Sequence, residues 1–226
     1  MIMKIGHRGA MGYEPENTIR SFKRAIRLAA DMIELDVHCS KDGRIVVMHD
    51  EKVDRTTNGR GYVAKKTLAE LKKLDAGQGE KIPTLPEVLD VIRHRVKMNI
   101  ELKGKRTARP VAEVLHHYIR ERGWRPDDFL ISSFNWEELG KFHRIYPEIP
   151  VGVLGGKNMF RAIEFAKQLG AFAIHLQRGK VTRRVVTKIH RLGMRVFSWT
   201  VNTAAEIKKI KNLGVDGIYS DYPDRL

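Results

Sequence analysis

The feature that most constrains this chain is an alternation: short β-branched or apolar runs, each followed by a longer segment of helical period, repeated from end to end. Nine runs read as strands: Met3 to Gly6, Met32 to Cys39, Arg44 to Met48, Met98 to Leu102, Phe129 to Ser133, Val151 to Leu154, Ala173 to Leu176, Val196 to Val201 and Gly217 to Ser220. Helical segments fall between most of them, at Glu16 to Ala29, Leu85 to Arg93, Ala108 to Arg122, Trp136 to Ile145, Met159 to Leu169, Thr182 to Leu192 and Ala204 to Leu213. Strands separated by a helix run parallel. Gly170, Gly193 and Gly214 stand just past three helix ends, the usual place for a glycine stop. The exception is the gap at Ser40, Lys41, Asp42 and Gly43, too short for a crossover helix and ending in the Asp-Gly of a tight hairpin, so Arg44 to Met48 must run antiparallel. Setting that return strand aside leaves eight parallel strands, the count of one α/β (β/α)8 TIM barrel spanning 1–226, with a β-hairpin after the second strand. A doubly wound open sheet would carry a glycine-rich loop after its first strand, whereas the turn here reads Gly6-His7-Arg8-Gly9. Residues 50–81 fit neither pattern apart from Thr67 to Leu74, and read as a small lid-like insertion beyond the barrel.

Composition narrows the class. Hydrophobic residues make up 42%, enough for a core, and the longest apolar stretches, such as Ile45 to Met48, fall far short of the roughly 20 residues of a spanning helix. Met1 to Ile5 leads straight into His7 without a signal-peptide apolar run, and the single Cys39 suits a reducing compartment, so a cytoplasmic protein is expected. The net charge of +15 raises a non-enzymatic rival, a binder of nucleic acid or of anionic surfaces. The most basic run, Arg178 to Arg195, instead reads as an ordinary amphipathic helix, with Val181, Val185, Ile189 and Leu192 inward and Arg184, Lys188 and Arg191 outward. No nucleic-acid partner is expected on that reading. Steering of anionic substrates and peripheral contact with lipid both remain open.

In a TIM barrel, chemistry sits at the C-terminal ends of the strands. There the sequence places His7-Arg8, Glu34 with Asp36, His49-Asp50, and Glu101 with Lys103. A spacing of two puts both members of a pair on one strand face, and helices cover the outside of a barrel, so these charges point inward at the mouth. Three converging carboxylates repel one another unless compensated, which favours a divalent cation held by Glu34, Asp36 and Glu101 over a purely structural ion network. Oxygen ligands without a cysteine or histidine cluster favour Mg²⁺ or Ca²⁺ over Zn²⁺. If Ser40 pairs with Arg44, the hairpin register sets Asp36 near Met48 and Leu35 near His49, returning His49 to the carboxylates. His7 arrives at the same rim, so two imidazoles could serve as general acid and general base. Arg8 and Lys103 suit an anionic substrate such as a phosphate, and also balance the carboxylates.

With these residues in view, the chain resembles the glycerophosphodiester phosphodiesterases, members of the PLC-like phosphodiesterase barrels. The resemblance runs nearly end to end, through His7-Arg8-Gly9, Pro15-Glu16-Asn17-Thr18, Glu34-Leu35-Asp36-Val37, Val47-Met48-His49-Asp50, Asp54-Arg55-Thr56-Thr57-Asn58-Gly59, Ile82-Pro83-Thr84-Leu85, Glu101-Leu102-Lys103, Ser132-Ser133-Phe134, Trp199-Thr200-Val201-Asn202 and Asp216-Gly217 to Ser220-Asp221-Tyr222-Pro223. It implies Glu34, Asp36 and Glu101 as ligands of Mg²⁺ or Ca²⁺, with Mn²⁺ also admissible, His7 and His49 as the acid/base pair, and Arg8 and Lys103 as phosphate contacts. Glu16 takes a supporting place, although a carboxylate opening the first helix would also complement its dipole. Trp199 resembles the residue packing on the glycerol side of the substrate, and reads equally as filler at the barrel top. The reaction implied is hydrolysis of a glycerophosphodiester to sn-glycerol 3-phosphate and an alcohol, by a route in which the substrate's own 2-hydroxyl attacks to give a cyclic phosphate. A lysophospholipase D working at lipid surfaces is the enzymatic alternative. The head-group alcohol, the oligomeric state and which histidine is the acid are not legible at this level.

Overall fold

The computed structural model describes residues 2–156 and 158–226. Its strands are β1 (Met3–Gly6), β2 (Met32–Cys39), β3 (Ile45–Val47), β4 (Lys97–Leu102), β5 (Phe129–Ser133), β6 (Val151–Gly155), β7 (Ala173–Gln177), β8 (Arg195–Trp199) and β9 (Gly217–Ser220). The helices are α1 (Ile19–Arg27), α2 (Leu68–Lys73), α3 (Leu85–Ile92), α4 (Ala108–Glu121), α5 (Trp136–Ile145), α6 (Met159–Leu169), α7 (Arg183–Arg191) and α8 (Ala204–Asn212). The sheet order is β1-β9-β8-β7-β6-β5-β4-β2-β3, and β1 also pairs with β2, so the parallel strands close into an eight-stranded TIM barrel with β3 outside the ring. The only antiparallel ladder among the described residues joins β2 to β3, with Val37 opposite Val47 and Cys39 opposite Ile45. Met48 donates its N–H to Asp36 at 2.9 Å, the register the hairpin implied. One edge of β2 is covered by β4 from Met32 to Val37, while β1 reaches only Met32 and Ile33 on the other. β3 fills the rest of that second edge and, running backward, delivers His49 toward the end of β1.

The helices form where side chains cap their free N–H groups. Thr18, Asn135, Thr182 and Thr203 each accept from the N–H three residues on, and Thr67 with Glu70 and Thr84 with Glu87 complete capping boxes. Gly170, Gly193 and Gly214 have φ of 66°, 77° and 85°, so the expected glycine stops are in place. Most boundaries fall within one residue of expectation, and the larger differences are at α1 and β8. α1 begins at Ile19 rather than Glu16, because Asn17 takes φ 58° and Thr18 is the cap, which leaves Glu16 outside the helix. β8 ends at Trp199, short of Val201. On α7, Val186 and Ile189 are buried while Leu192 is exposed, so the inward stripe is one turn shorter than its spacing implied.

Strand parity divides the molecule. Ile33, Leu35, Val37, Ile100, Ile131, Val153, Ile174, Val196 and Ile218 join the helices in one continuous core outside the barrel. Ile5, Met32, Leu130, Ala173, Phe197 and Tyr219, of the opposite parity, fill the barrel interior. Residues 50–81 hold a 3₁₀ turn at Val63–Lys65 and helix α2, and their Val53, Val63, Leu71 and Ala76 pack in a separate cluster with Val46, Met48 and Ile82. No helix among the described residues is long and apolar enough to cross a membrane.

Candidate active site

The inward parity of β2 runs Met32, Glu34, Asp36 and that of β4 runs Asn99, Glu101, so apolar and neutral polar side chains give way to charge as the strands approach the mouth. Asp36 and Glu101 are cross-strand partners in the parallel ladder. Glu34, Asp36 and Glu101 are all buried, and each offers a carboxylate oxygen within 4.8 Å of the others, where two bare charges at an effective dielectric near 20 repel by about 3 kcal/mol. Burial and the neighbouring carboxylates therefore push Glu34 well above the usual carboxylate range and Glu101 up to about 7. Asn17 donates to Asp36 Oδ2 at 2.9 Å, while Asp36 Oδ1 is buried without a hydrogen-bond partner. A buried, unsatisfied carboxylate oxygen beside two further carboxylates is a donor set that a hard divalent cation completes.

Cations flank this cluster. Lys103 Nζ lies 2.9 Å from Glu101 Oε1 and 3.9 Å from Asp36 Oδ1; burial lowers its pKa, but these carboxylates outweigh that and raise it. Arg8 takes a left-handed φ of 50°, which aims its N–H at Glu34 Oε2, 2.8 Å away, and its side chain donates from Nη1 to Glu16 Oε1 at 2.7 Å. A left-handed arginine costs about 1–2 kcal/mol, a strain of the kind that sites retain when the surroundings hold it. Gly9 completes the turn at φ 87°, where a Cβ would stand 2.3 Å from Ser21 Oγ and 2.7 Å from its backbone carbon. Glu16, far from serving α1, holds Arg8 in place.

Both expected histidines line the same cavity as the three carboxylates, and each turns Nδ1 to an acid. His7 Nδ1 lies 2.7 Å from Asp221 Oδ1 and His49 Nδ1 lies 2.6 Å from Asp50 Oδ1. In each pair Nδ1–H donates to the carboxylate, which fixes the tautomer and leaves the Nε2 lone pair as the proton-accepting position. Asp221 is itself held by Asn202, whose Nδ2 donates at 2.6 Å and whose Oδ1 accepts the Asp221 N–H at 2.9 Å. His49 Nε2 faces Lys103 Nζ at 3.2 Å. Burial, aided by Arg8 and Lys103, outweighs Asp36 and Asp50 and lowers the His49 pKa, favouring the neutral ring.

Beneath the carboxylates lies a buried polar floor. Asn99 Nδ2 donates to Leu130 O and Ser132 Oγ, so its Oδ1 accepts from Tyr219 OH at 2.6 Å, and His175 Nδ1–H must donate to the Tyr219 oxygen at 2.9 Å. Full burial lowers the His175 pKa to about 3, keeping the ring neutral under the anionic cluster. On the far wall Trp199, half-buried, meets exposed Phe134 edge to face with centroids 5.8 Å apart.

All nine residues singled out from the sequence thus gather at the mouth: His7, Arg8, Glu34, Asp36, His49, Glu101, Lys103 and Trp199 line the cavity, and Glu16 stands behind Arg8. Sequence reasoning assigned no role to Asp50, Asp221, Asn17, Asn202 or Arg55, although each stands inside a motif that carried the resemblance. It also passed over Asn99, which its spacing of two from Glu101 would have placed inward.

Comparison with known proteins agrees over nearly the whole length. The model of the glycerophosphoryl diester phosphodiesterase family matches residues 7–225. The chain is 39% identical, over 98% of its length and 95% of the relative's, to a glycerophosphodiester phosphodiesterase of Caldanaerobacter subterraneus subsp. tengcongensis. It is 36% identical, over 99% of its length and 84% of the relative's, to a glycerophosphodiester phosphodiesterase of Bacillus subtilis. Among solved structures it superposes with TM-score 0.89 and 33% identity on an Oleispira antarctica phosphodiesterase in complex with the product sn-glycerol-3-phosphate, covering 99% of this chain and 94% of that one.

Proposed function

The chain belongs to the glycerophosphoryl diester phosphodiesterase family and is a glycerophosphodiester phosphodiesterase, and from that premise we propose that it uses a divalent cation to hydrolyse glycerophosphodiesters to sn-glycerol 3-phosphate and an alcohol, with His7 and His49 as the acid/base pair. The observation that carries this reading is two imidazoles, each tied through Nδ1 to a carboxylate, lining one cavity with a three-carboxylate cluster and two cations. The product named for the Oleispira antarctica relative supports the same substrate class.

Glu34, Asp36 and Glu101 would hold the ion, Mg²⁺ or Ca²⁺ with Mn²⁺ also suited to an all-oxygen set. Bound there, it supplies neutralisation of the phosphate charge and a lowered pKa for the attacking hydroxyl. Arg8 and Lys103 bind phosphoryl oxygens, Arg8 held at its working angle by Glu16. The neutral ring of His49 is in the state a general base needs, and it takes the proton of the nucleophile through Nε2 while Asp50 holds the ring. His7, braced by Asp221, returns a proton to the leaving alcohol, and the two exchange tasks if a cyclic phosphate is then opened by water. Trp199 with Phe134 offers an apolar wall for the carbon face of the glycerol. We read residues 1–226 as one catalytic domain with the insertion at 50–81, acting in the cytoplasm on a small-molecule diester rather than on nucleic acid.

Turnover of glycerophosphocholine, glycerophosphoethanolamine and lysophosphatidylcholine, measured after EDTA and after return of Mg²⁺, Ca²⁺ or Mn²⁺, tests the proposal. Loss with EDTA and recovery with one of these ions is expected. Full activity after exhaustive chelation, with no metal by elemental analysis, would sink the metal assignment. Preference for the lysolipid would favour the surface-acting alternative, the activity named for a human relative 26% identical over 98% of this chain.

A further inference from the structure

Arg55 belongs to the insertion, and its side chain is 48% exposed, yet it makes four hydrogen bonds to two acids of the site. Nη1 donates to Glu16 Oε2 at 2.7 Å and Nη2 to Glu16 Oε1 at 2.8 Å, while Nε donates to Asp50 Oδ2 at 2.7 Å and Nη2 to Asp50 Oδ1 at 3.2 Å. Each acid grips a functional side chain with one of the two oxygens it offers Arg55. Glu16 Oε1 accepts from Arg8 Nη1 at 2.7 Å, and Asp50 Oδ1 accepts from His49 Nδ1 at 2.6 Å. A continuous chain therefore runs Arg8, Glu16, Arg55, Asp50, His49, with one guanidinium at its centre.

We propose that Arg55 is a positioning residue that sets the phosphate contact Arg8 and the proton carrier His49 in register with each other, tying the fold of the insertion to the chemistry of the mouth. The inference rests on the roles given above to Arg8 and His49. Exposed ion pairs ordinarily contribute little to stability, which makes a purely structural purpose a poor account of four aligned bonds from a half-exposed arginine. The planar fork matters as well, because its separate N–H groups reach both carboxylates at once, which the single ammonium of lysine does not reproduce. Hydrogen bonds from Arg55 are the largest influence holding Asp50 below the usual carboxylate range, and with Arg8 they overcome the burial that would raise Glu16. The brace on His7 differs, being built from Asn202 and Asp221 without any part of the insertion.

The test measures kcat and KM for glycerophosphocholine with Mg²⁺, together with thermal midpoints, on R55A, R55K, E16Q and R55A/E16Q in the full chain, with H49A and E101Q alongside. R55A is expected to lower kcat by about 10- to 100-fold, the usual range for a residue that orients others, and to raise KM with little change in thermal midpoint. Added methylguanidinium should restore part of the R55A turnover, R55K should recover little, and R55A/E16Q should raise KM no further than the larger single change. R55A or R55K with kcat and KM within about twofold of wild type, while H49A and E101Q are inactive, overturns the inference and leaves the proposed site standing. Wild-type turnover in H49A and E101Q overturns the proposed site and this inference with it.

Discussion

His7 and His49 each spend Nδ1 on a carboxylate, and in the proposed mechanism the Nε2 of each carries a proton. Replacing either by alanine removes a proton carrier and little packing, so His7→Ala and His49→Ala should each lower kcat by about 10² to 10⁴ with the fold intact. Near-native kcat in a circular-dichroism-matched variant would show that histidine to be structural. Glu101 makes the opposite point, because the site places a carboxylate where burial and Asp36 oppose its charge. Its pKa rises from the ordinary 4.5 to about 7, so the metal-free folded state holds a proton that the unfolded chain releases, and stability falls as pH climbs through that window. Glu101→Gln keeps the shape without the charge. Metal-free Glu101→Gln should exceed metal-free wild type in stability by on the order of 1–3 kcal/mol at pH 7.5, lose that margin near pH 4.5, and be inactive. Urea titrations at the two pH values check it, and an unchanged margin would count against the crowded-carboxylate account.

Among the elements, the insertion is the one with a hydrophobic cluster apart from the main core. Its apolar residues Val53, Val63, Leu71 and Ala76 pack on Val46 of β3 and on Met48 just beyond it, and stay apart from the main core. Leu71, fully buried there, should cost about 2–5 kcal/mol when cut to alanine. The loss should appear locally: amide exchange across residues 50–81 accelerates as a unit while β4 to β8 keep their protection, and turnover falls because Arg55, Asp50 and His49 lose their frame. Uniform acceleration throughout the chain would mean that the insertion and barrel unfold as one. The hairpin shows how a short element decides a site. Its register was legible because Asp42-Gly43 fixes the turn and the side-chain period is two, so Asp36 and His49 were placed together before any tertiary contact was considered.

For the whole molecule, the net charge of +15 accompanies a site proposed to bind an anionic diester. Arg184 and Arg191 on α7 are exposed and do not line the mouth cavity, and exposed charges act weakly beyond a Debye length of about 8 Å at physiological salt. Arg184→Glu with Arg191→Glu should leave kcat/KM for soluble glycerophosphocholine nearly unchanged, because screened distant charge does little to a small substrate. Strong binding of wild type to anionic vesicles at physiological salt, lost in this double variant, would instead assign that face to lipid and favour the surface-acting alternative.

The barrel and most of its site were legible in the sequence for one reason. Period-two strands and capped, glycine-stopped helices are local patterns, and a closed parallel barrel converts strand parity directly into inside or outside, so Glu34, Asp36, Glu101, His7 and His49 were placed by counting. The remaining facts join residues far apart in the chain, where no period operates. His7 and Asp221 lie 214 positions apart, and Asn99 and Tyr219 lie 120 apart. Glu16 reads from its neighbours as a helix-opening carboxylate, and only the φ of 58° at Asn17, which ends the chain's approach to α1, turns it toward Arg8 and Arg55. The sequence by itself determined that the three carboxylates, the two histidines, Arg8 and Lys103 reach the mouth; which acid braces which base was decided by tertiary packing, since burial makes each such group find the partner that the fold, and not the chain order, sets beside it.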